Sequence, residues 1–350
     1  MSFTNQTTTS MADFISKLNT FLSGTPGWTT HHVPANGEWA ARKTPGGNDI
    51  GIATQWDTSA PLYLGIYQWH GGAYSAVDSP WDQIDDSGNG AASTTDATIA
   101  LQRSALVRAA PLQFWCFEDD DYFHCVVQTL TDRYVHFGAG LVDKFNDWTG
   151  GEYVYGWWQD NIFNGNQALI GSSTMLLDGI SIDTSPGHLN QEEWVATMRI
   201  EGLDDQVANS KYGVVMGGQA TANLGTDRQG PAGGPKTNEA RVSIIGGFRG
   251  GPISFSFGSG LRGTKTKANC PMHPVVQFYW NRVTGDIYGP LSQMKDVRGI
   301  NNRDFAPGEE VVLGADTWVV FPTARKATAD TQSGVAYSLF QGVAYKKVTT

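Results

Sequence analysis

Four consecutive acidic residues, Glu118 to Asp121, form the densest group of side chains able to do acid–base or metal chemistry. Paired carboxylates catalyse glycoside hydrolysis when about 5–9 Å separates them across a sugar. Calcium-binding EF-hand loops need acids at alternate positions and a glycine, and this contiguous run has neither. We therefore predict a solvated turn between two strands, exposed on the surface or at a subunit contact and formed by Glu118, Asp119, Asp120 and Asp121.

Histidine and cysteine side chains follow in the next two strand-like segments, 122–130 and 133–140. If Thr131-Asp132 is a two-residue hairpin turn, Val127 lies opposite His136. His124 and His136 then point to opposite faces of the sheet and cannot share a metal. Cys125 and His136 share one face in this register, but two ligands do not make a zinc site. We predict no metal and no cofactor.

The loop Gly230–Thr237 resembles a phosphate-binding loop, but it breaks the pattern at one essential position. Pro235 stands where a glycine must precede Lys236, and no helical pattern follows to supply amide groups for a phosphate. The chain also has no Gly-x-Ser-x-Gly nucleophile motif and no His-Glu-x-x-His zinc motif. We expect the chain not to be an enzyme.

Aromatic side chains at 148–158 offer a different chemistry, stacking on sugars. Strand alternation places Tyr153, Tyr155 and Trp157 on one face. Such a face either packs in a core or presents a platform for a glycan. Both interpretations stay open, and the candidate glycan-stacking residues are Trp148, Tyr153, Tyr155 and Trp157.

The elements that position these residues are mainly β-strands. Short runs rich in Val, Tyr, Phe and Trp alternate with tight polar breaks, which is typical of antiparallel strands. We predict antiparallel sheets of a sandwich-like or barrel-like kind, connected by long Gly-rich loops. The loop at 217–237 is expected on the surface or at a subunit contact.

One short amphipathic helix is predicted near the N-terminus, after a flexible or partner-bound arm at residues 1–9. Ser10 and Asp13 suit a helix start, and Gly24 suits its end. Phe14 and Leu18 belong to an apolar stripe at helical spacing. This stripe packs on its own domain or docks on a neighbouring subunit, so Phe14 and Leu18 are candidate interface residues.

Domain organisation is predicted from these patterns in three parts. Residues 1–24 form the arm and helix, 25–210 an aromatic β-meander region, and 211–350 a C-terminal β region. No clear linker separates them, so a single composite domain is the alternative.

Charge and cysteine content limit the classes of function. The net charge is −10, but residues 227–350 carry 15 basic against 9 acidic side chains. An acidic body with a basic C-terminal third argues against broad nucleic-acid binding. It suits complementary contacts between copies or with a neighbouring chain, and equally a neutralisation of the two regions by each other within one fold. Three cysteines, Cys116, Cys125 and Cys270, are expected as buried thiols. We expect a soluble protein without membrane insertion, made in a cytoplasm, because neither a signal peptide nor a membrane-spanning run is found.

Several motifs together resemble a known class of proteins. Gly27-Trp28-Thr29 follows the helix, and an aromatic hairpin and a Thr-Gly-Gly segment, Thr149–Trp158, come next. Trp318–Lys326 and the strand Ser333–Lys346 close the pattern. This pattern is similar to the minor virion proteins of tailed bacteriophages, which are encoded among tail and baseplate genes.

The resemblance implies a structural component of a tail, baseplate, tail tip or neck, present in several symmetric copies. Its implied partners are copies of itself and other virion proteins, and its implied location is the virion, assembled in the host cytoplasm. It transfers no catalytic residues. Two rivals remain: a receptor- or glycan-binding tail protein that binds a host surface glycan, and a polysaccharide-degrading tail enzyme.

Overall fold

The structure, a computed structural model, is mainly β, and all the strand pairs that it describes are antiparallel. The predicted fold class is thereby confirmed, with one α-helix near the N-terminus. The described residues are 2–47, 50–56, 64–70, 102–107, 111–156, 196–201, 213–214, 240–244, 272–281, 287–322 and 341–348. The predicted loop at 217–237, the motif at 230–237 and Cys270 lie outside these ranges.

The described strands are numbered in chain order. In order they are β1 (Ser2–Thr7), β2 (Thr29–Val33), β3 (Glu38–Lys43), β4 (Ile50–Trp56), β5 (Leu64–His70), β6 (Gln102–Val107), β7 (Gln113–Asp119), β8 (Tyr122–Leu130), β9 (Arg133–Lys144), β10 (Thr149–Gly156), β11 (Ala196–Glu201), β12 (Gly213–Val214), β13 (Ala240–Ile244), β14 (His273–Asn281), β15 (Ile287–Asn301), β16 (Glu309–Leu313), β17 (Asp316–Pro322) and β18 (Gln341–Lys347).

The helix α1 spans Met11–Ser23 and begins as predicted. The Ser10 hydroxyl accepts a hydrogen bond from the Asp13 backbone N–H at 3.1 Å. The Asp13 carboxylate accepts one from the N–H of Thr9, the residue before the cap, at 2.9 Å. The Ser10 hydroxyl thus satisfies one free amide of the first turn, and the Asp13 carboxylate fixes the chain that enters the helix. Gly24 caps the C-terminal end, and its N–H donates to the Thr20 carbonyl at 3.2 Å.

Two sheets contain all the described strands. The smaller has the order β2-β3-β4-β5-β6, with two short 3-10 turns, Pro34–Asn36 and Pro45–Gly47, between its first three strands. The larger runs β1-β7-β8-β9-β15-β18-β17-β16, with β10, β11 and β12 branching from β9, and β14 and β13 branching from β15. Because β9 pairs with β15, hydrogen bonds join strands from the predicted middle and C-terminal regions. The domain boundaries themselves stay a prediction.

The strands β7, β8 and β9 form the middle layer of the fold. One face packs against α1 and the smaller sheet, in a cluster that includes Phe14, Trp39, Ile52, Phe114, Phe123 and Phe137. The other face packs against β17 and β18, with the rings of Trp115 and Phe321 4.9 Å apart and those of Phe117 and Tyr345 5.0 Å apart. Because both faces are covered, β7 and β8 are buried at nearly every position rather than at alternate ones.

Two local predictions are corrected. Residues 1–9 were expected to be an arm, but residues 2–7 form β1, which pairs with β7 over its whole length. The sequence pattern also does not predict β15, the longest described strand at 15 residues. It contains Gly289, Pro290 and Asp296, residue types that are unfavourable inside a strand, and its pairing with β14 shifts register three times.

In the described ranges, no helix combines the length and the apolar character that crossing a membrane would require.

Candidate functional site

The acidic run Glu118–Asp121 is divided between a strand end and a turn. Asp119 pairs with Tyr122, so only Asp120 and Asp121 form the turn between β7 and β8. Glu118 and Asp119 belong to β7 and are buried, whereas Asp120 is exposed. The prediction that all four lie on the surface or at a subunit contact is therefore wrong for Glu118 and Asp119.

A lysine from the smaller sheet neutralises Glu118 inside the protein. Lys43 Nζ, at the end of β3, lies 2.6 Å from Glu118 Oε1 and also donates to the Asp119 carbonyl at 3.0 Å. The Trp28 indole N–H donates to the same Oε1 at 3.1 Å. Burial of a charge is expensive unless it is paired, so these contacts make the buried carboxylate tolerable. The second oxygen, Oε2, has no hydrogen-bond partner among the described residues.

A second lysine binds the other side of the turn. Lys295 Nζ in β15 lies 2.7 Å from Asp121 Oδ2 and 3.3 Å from Asp119 Oδ2. Burial disfavours its charge, but the carboxylates of Asp121 and Asp119 outweigh burial and raise the pKa of Lys295 above its ordinary value. The acidic turn is thus tied to β3 and β15 by ammonium groups. These ion pairs link β3, β15 and the turn between β7 and β8.

Gly140 lets β9 approach the acidic turn closely. The neighbouring Leu141 N–H donates to the Asp121 carbonyl at 2.8 Å. A β-carbon at Gly140 would lie 2.6 Å from Tyr122 Cβ and 2.8 Å from that same Asp121 carbonyl oxygen. Real β-carbons do not approach so closely, so only glycine fits without movement of the turn.

The hairpin β8–β9 has the predicted turn but a different register beyond it. Leu130 pairs with Arg133 across Thr131-Asp132, as expected. A bulge between Gln128 and Leu130 then shifts the pairing by one residue, so His136 lies opposite Val126 instead of Val127. A one-residue shift moves every later side chain of one strand to the other face.

The shifted register places His124 and His136 on the same face of the sheet. Their predicted opposite orientation is wrong, and so is the shared face of Cys125 and His136. Both imidazole rings lie near the Tyr345 ring: the centroid of His124 is 5.2 Å away with its ring tilted, and that of His136 is 6.0 Å away with its ring stacked. His136 Nε2 donates to the Pro322 carbonyl at 2.9 Å, because that oxygen can only accept, and Nδ1 accepts from the Tyr345 hydroxyl at 3.0 Å.

Burial keeps both imidazoles neutral at ordinary pH. It lowers the pKa of His124 to about 3, with the nearby His136 adding to the effect. Burial also lowers the pKa of His136 to about 4, although the hydrogen bond to Pro322 favours the charged form. His124 Nε2 lies 3.3 Å from the Tyr153 hydroxyl, which is buried too. These groups form a polar layer enclosed between β8–β9 and β17–β18, which solvent does not reach.

The two described cysteines are free and buried, as predicted. Cys116 in β7 lies directly opposite Cys125 in β8, with the sulfurs 3.6 Å apart. Within the described ranges, no three His, Cys, Asp or Glu side chains are grouped to hold a metal ion.

The candidate glycan-stacking residues do not form an exposed platform where they are described. Tyr153 is fully buried and Trp148 nearly so, with Lys144 Nζ 5.3 Å from the centre of the Trp148 ring. The backbone of Tyr155 pairs with Gly138 in β9, while Trp157 lies outside the described residues. The core interpretation is therefore correct for Trp148 and Tyr153.

The apolar stripe of α1 is also internal. Phe14 and Leu18 are fully buried, and the Phe14 ring contacts Phe114 edge-on at 5.1 Å. The alternative that these two residues dock on a neighbouring subunit is wrong, because their own middle layer covers them.

Among the described residues, the most exposed large apolar side chains lie instead at the hairpin between β16 and β17. Val312 is 73% exposed and Leu313 is 54% exposed. Gly314 turns the chain with φ 64°, and Ala315 beside it is exposed as well. We call Val312–Ala315 the apolar tip. This exposed tip was not predicted from the sequence. A signal was present, because successive side chains in a strand point to opposite faces, so a run of apolar residues before a glycine turn cannot all face one core.

The apolar tip belongs to a strand at the margin of the larger sheet. β16 pairs with β17, and no other described strand pairs with it. Lys347 Nζ lies 2.7 Å from Glu310 Oε1, so one of the two acids of β16 is neutralised. A sheet edge with exposed apolar side chains is a template for another strand unless it is protected.

No known protein-family model matches this chain, and no curated protein matches it either.

Proposed function

We propose that this chain is a structural component of a tailed-bacteriophage virion, in the tail, baseplate, tail tip or neck, and that it acts by protein–protein assembly. The resemblance of its motifs to minor virion proteins suggests the setting. The observation that carries the assembly role is the apolar tip at the edge strand β16.

The apolar tip favours a protein partner on energetic grounds. Covering a Val or Leu side chain fully is worth about 1.5–3 kcal/mol, so Val312 and Leu313 together offer a few kcal/mol that the isolated chain leaves unused. Exposed large apolar groups next to each other are typical of interaction surfaces. A partner strand added to β16 would cover them and pair the backbone groups of the edge at the same time.

The interior of the fold supports a rigid scaffold. The middle layer is covered on both faces, and buried ion pairs tie the acidic turn to β3 and β15. Imidazole and phenol groups are enclosed in the polar layer and hydrogen-bonded to each other. Such a body presents the apolar tip in a fixed geometry, and pre-organised surfaces lose little entropy on binding.

The proposed assembly role is tested by substituting a charged residue into the apolar tip. Val312→Lys places an ammonium on the edge strand, the device that natural sheets use against edge-to-edge pairing. Leu130→Lys is the matched control, because Leu130 is also a large apolar residue, 43% exposed, and lies at a different turn, the one between β8 and β9. Each variant is supplied to a phage in which the chain's gene is inactivated, and purified particles are quantified for the chain.

We expect both variants to fold like the wild type by circular dichroism, since both sites are exposed. Val312→Lys should be depleted at least tenfold from particles, whereas Leu130→Lys should be incorporated normally. A tenfold loss corresponds to about 1.4 kcal/mol, less than the burial of one such side chain provides. Normal incorporation of Val312→Lys would contradict the proposed role of the tip.

A further inference from the structure

Two thiols meet at the centre of the middle layer. Cys116 and Cys125 are directly opposite each other on β7 and β8, and their sulfurs are 3.6 Å apart. Both side chains are fully buried, in the apolar cluster beneath α1. The turn between the strands holds the two positions in register, so the sulfurs stay neighbours as long as the hairpin is folded.

The hairpin holds the two cysteines close to the spacing that a disulfide needs. Cross-strand neighbours have β-carbons about 4.5–5.5 Å apart, and a disulfide needs about 3.5–4.5 Å. The S–S bond is about 2.05 Å long, so the sulfurs must approach each other by roughly 1.5 Å. Rotation about the two Cα–Cβ bonds supplies most of such a movement without a change of strand pairing.

We propose that Cys116 and Cys125 are a modification site, at which a hydroperoxide joins them in a cross-strand disulfide that locks β7 to β8. In the first step one thiolate sulfur attacks the O–O bond and is oxidised to a sulfenic acid, and the hydroperoxide is reduced to an alcohol, or to water for hydrogen peroxide. In the second step the other sulfur displaces the sulfenic oxygen. That oxygen leaves as water with the remaining thiol proton, and the S–S bond forms.

The protein environment of the two thiols determines when they can be oxidised. Burial raises the pKa of the Cys125 thiol, and contact with Cys116 adds to the effect. The thiolate is the reactive form, so the closed sheet protects the pair. The reaction therefore proceeds when the layer that covers the two thiols opens briefly, with β7 and β8 still paired, and water and a small hydroperoxide enter. The chain would be reduced while it folds in a reducing compartment and cross-linked after longer exposure to an oxidant.

The test uses the full chain with its three cysteines reduced. The protein is incubated with millimolar hydrogen peroxide, in buffer and in urea below the unfolding transition, then unfolded and alkylated with N-ethylmaleimide. Intact mass should show one alkylated cysteine instead of three, and a chain two hydrogen atoms lighter. Because no Lys or Arg lies between the two cysteines, cleavage at Asp119–Asp121 is used to show the linked fragments.

Variants separate this pair from other thiol chemistry. Cys270→Ser should still form the link, whereas Cys116→Ser and Cys125→Ser should not. The link should form at least several-fold faster in urea, because opening limits the reaction. Three alkylated cysteines after both incubations would overturn the proposal, and so would a link that contains Cys270 or separate over-oxidation of the two sulfurs.

Discussion

Removal of the Lys43 ammonium should cost the fold far more than removal of a similar group on the surface. Lys43 Nζ and Glu118 Oε1 are 2.6 Å apart, and their side chains are 9% and 1% exposed. Lys43→Met would leave the Glu118 carboxylate buried, with the Trp28 indole N–H as its remaining partner in this cluster. Loss of one partner of a buried ion pair typically costs about 3–5 kcal/mol. We expect a loss of that size in the free energy of unfolding.

The matched control is Lys17→Met on helix α1. Lys17 Nζ and Asp13 Oδ2 are also close, at 2.8 Å, but these side chains are 34% and 27% exposed. Exposed helical pairs of this spacing contribute about 0.3–0.5 kcal/mol. Lys17 Nζ also donates to the Thr7 carbonyl at 2.8 Å, a hydrogen bond worth about 0.5–1.5 kcal/mol. We therefore expect Lys43→Met to cost a few times more than Lys17→Met, although each removes one ammonium at a similar distance from its carboxylate partner.

Urea denaturation of each variant at pH 7, followed by tryptophan fluorescence and circular dichroism, measures the difference. A double variant, Lys43→Met with Glu118→Leu, should recover most of the loss, because an apolar pair avoids the cost of an unpaired buried charge. The reasoning is refuted if Lys43→Met costs no more than Lys17→Met, or if the double variant is less stable than Lys43→Met alone.

Three further predictions concern the same region. Burial holds the pKa of His124 at about 3 and that of His136 at about 4, below the ordinary 6.5. The free energy of unfolding should therefore be highest above pH 6.5 and should fall as the pH drops toward 4. Urea titrations across this range measure the fall, and His136→Gln should make the free energy of unfolding depend less on pH. Gly140→Ala should lower the free energy of unfolding by about 1–3 kcal/mol, because the added β-carbon would lie 2.6 Å from Tyr122 Cβ and 2.8 Å from the Asp121 carbonyl oxygen. The control Gly24→Ala, at a residue with an ordinary φ, should change the urea midpoint little. Asp296 has φ 54° and accepts a hydrogen bond from the Tyr122 hydroxyl at 3.2 Å. Asp296→Ala should therefore lower the melting temperature more than Asp296→Asn, which tolerates that conformation and keeps a side-chain acceptor; equal effects would contradict both causes.

Local signals in the sequence predicted the parts of the fold that short-range physics determines. The cap at Ser10, the apolar stripe of α1 and the turn at Thr131-Asp132 depend on residues within a few positions of each other. The bulge before Leu130 does not have such a signal. It changed the face on which His136 lies, and with it the interpretation of both histidines.

The acidic run shows why the candidate site was harder to predict. Four acids in a row favour a solvated turn, and Asp120 behaves as expected. Glu118 is buried because Lys43, 75 residues earlier, meets it, and Asp121 is paired because Lys295, 174 residues later, reaches the turn. Partners so distant in the chain are set by the packing of sheets, which single-sequence patterns do not contain.

The apolar tip was missed for a different reason. Val311 to Leu313 suggests a buried strand, and Val311 does pack against the core around Trp318. Its neighbours are exposed because β16 lies at the sheet margin, and strand order is not visible in the residues.

The assembly role is tested most directly by the protein composition of purified phage particles. On the proposal that a tailed phage encodes this chain, particles of that phage would be banded on a density gradient, and their proteins counted by mass spectrometry against labelled standards. The proposal predicts the chain in the particle in several copies, at a constant ratio to the other virion proteins. Its presence in infected cells together with its absence from particles would contradict the proposal.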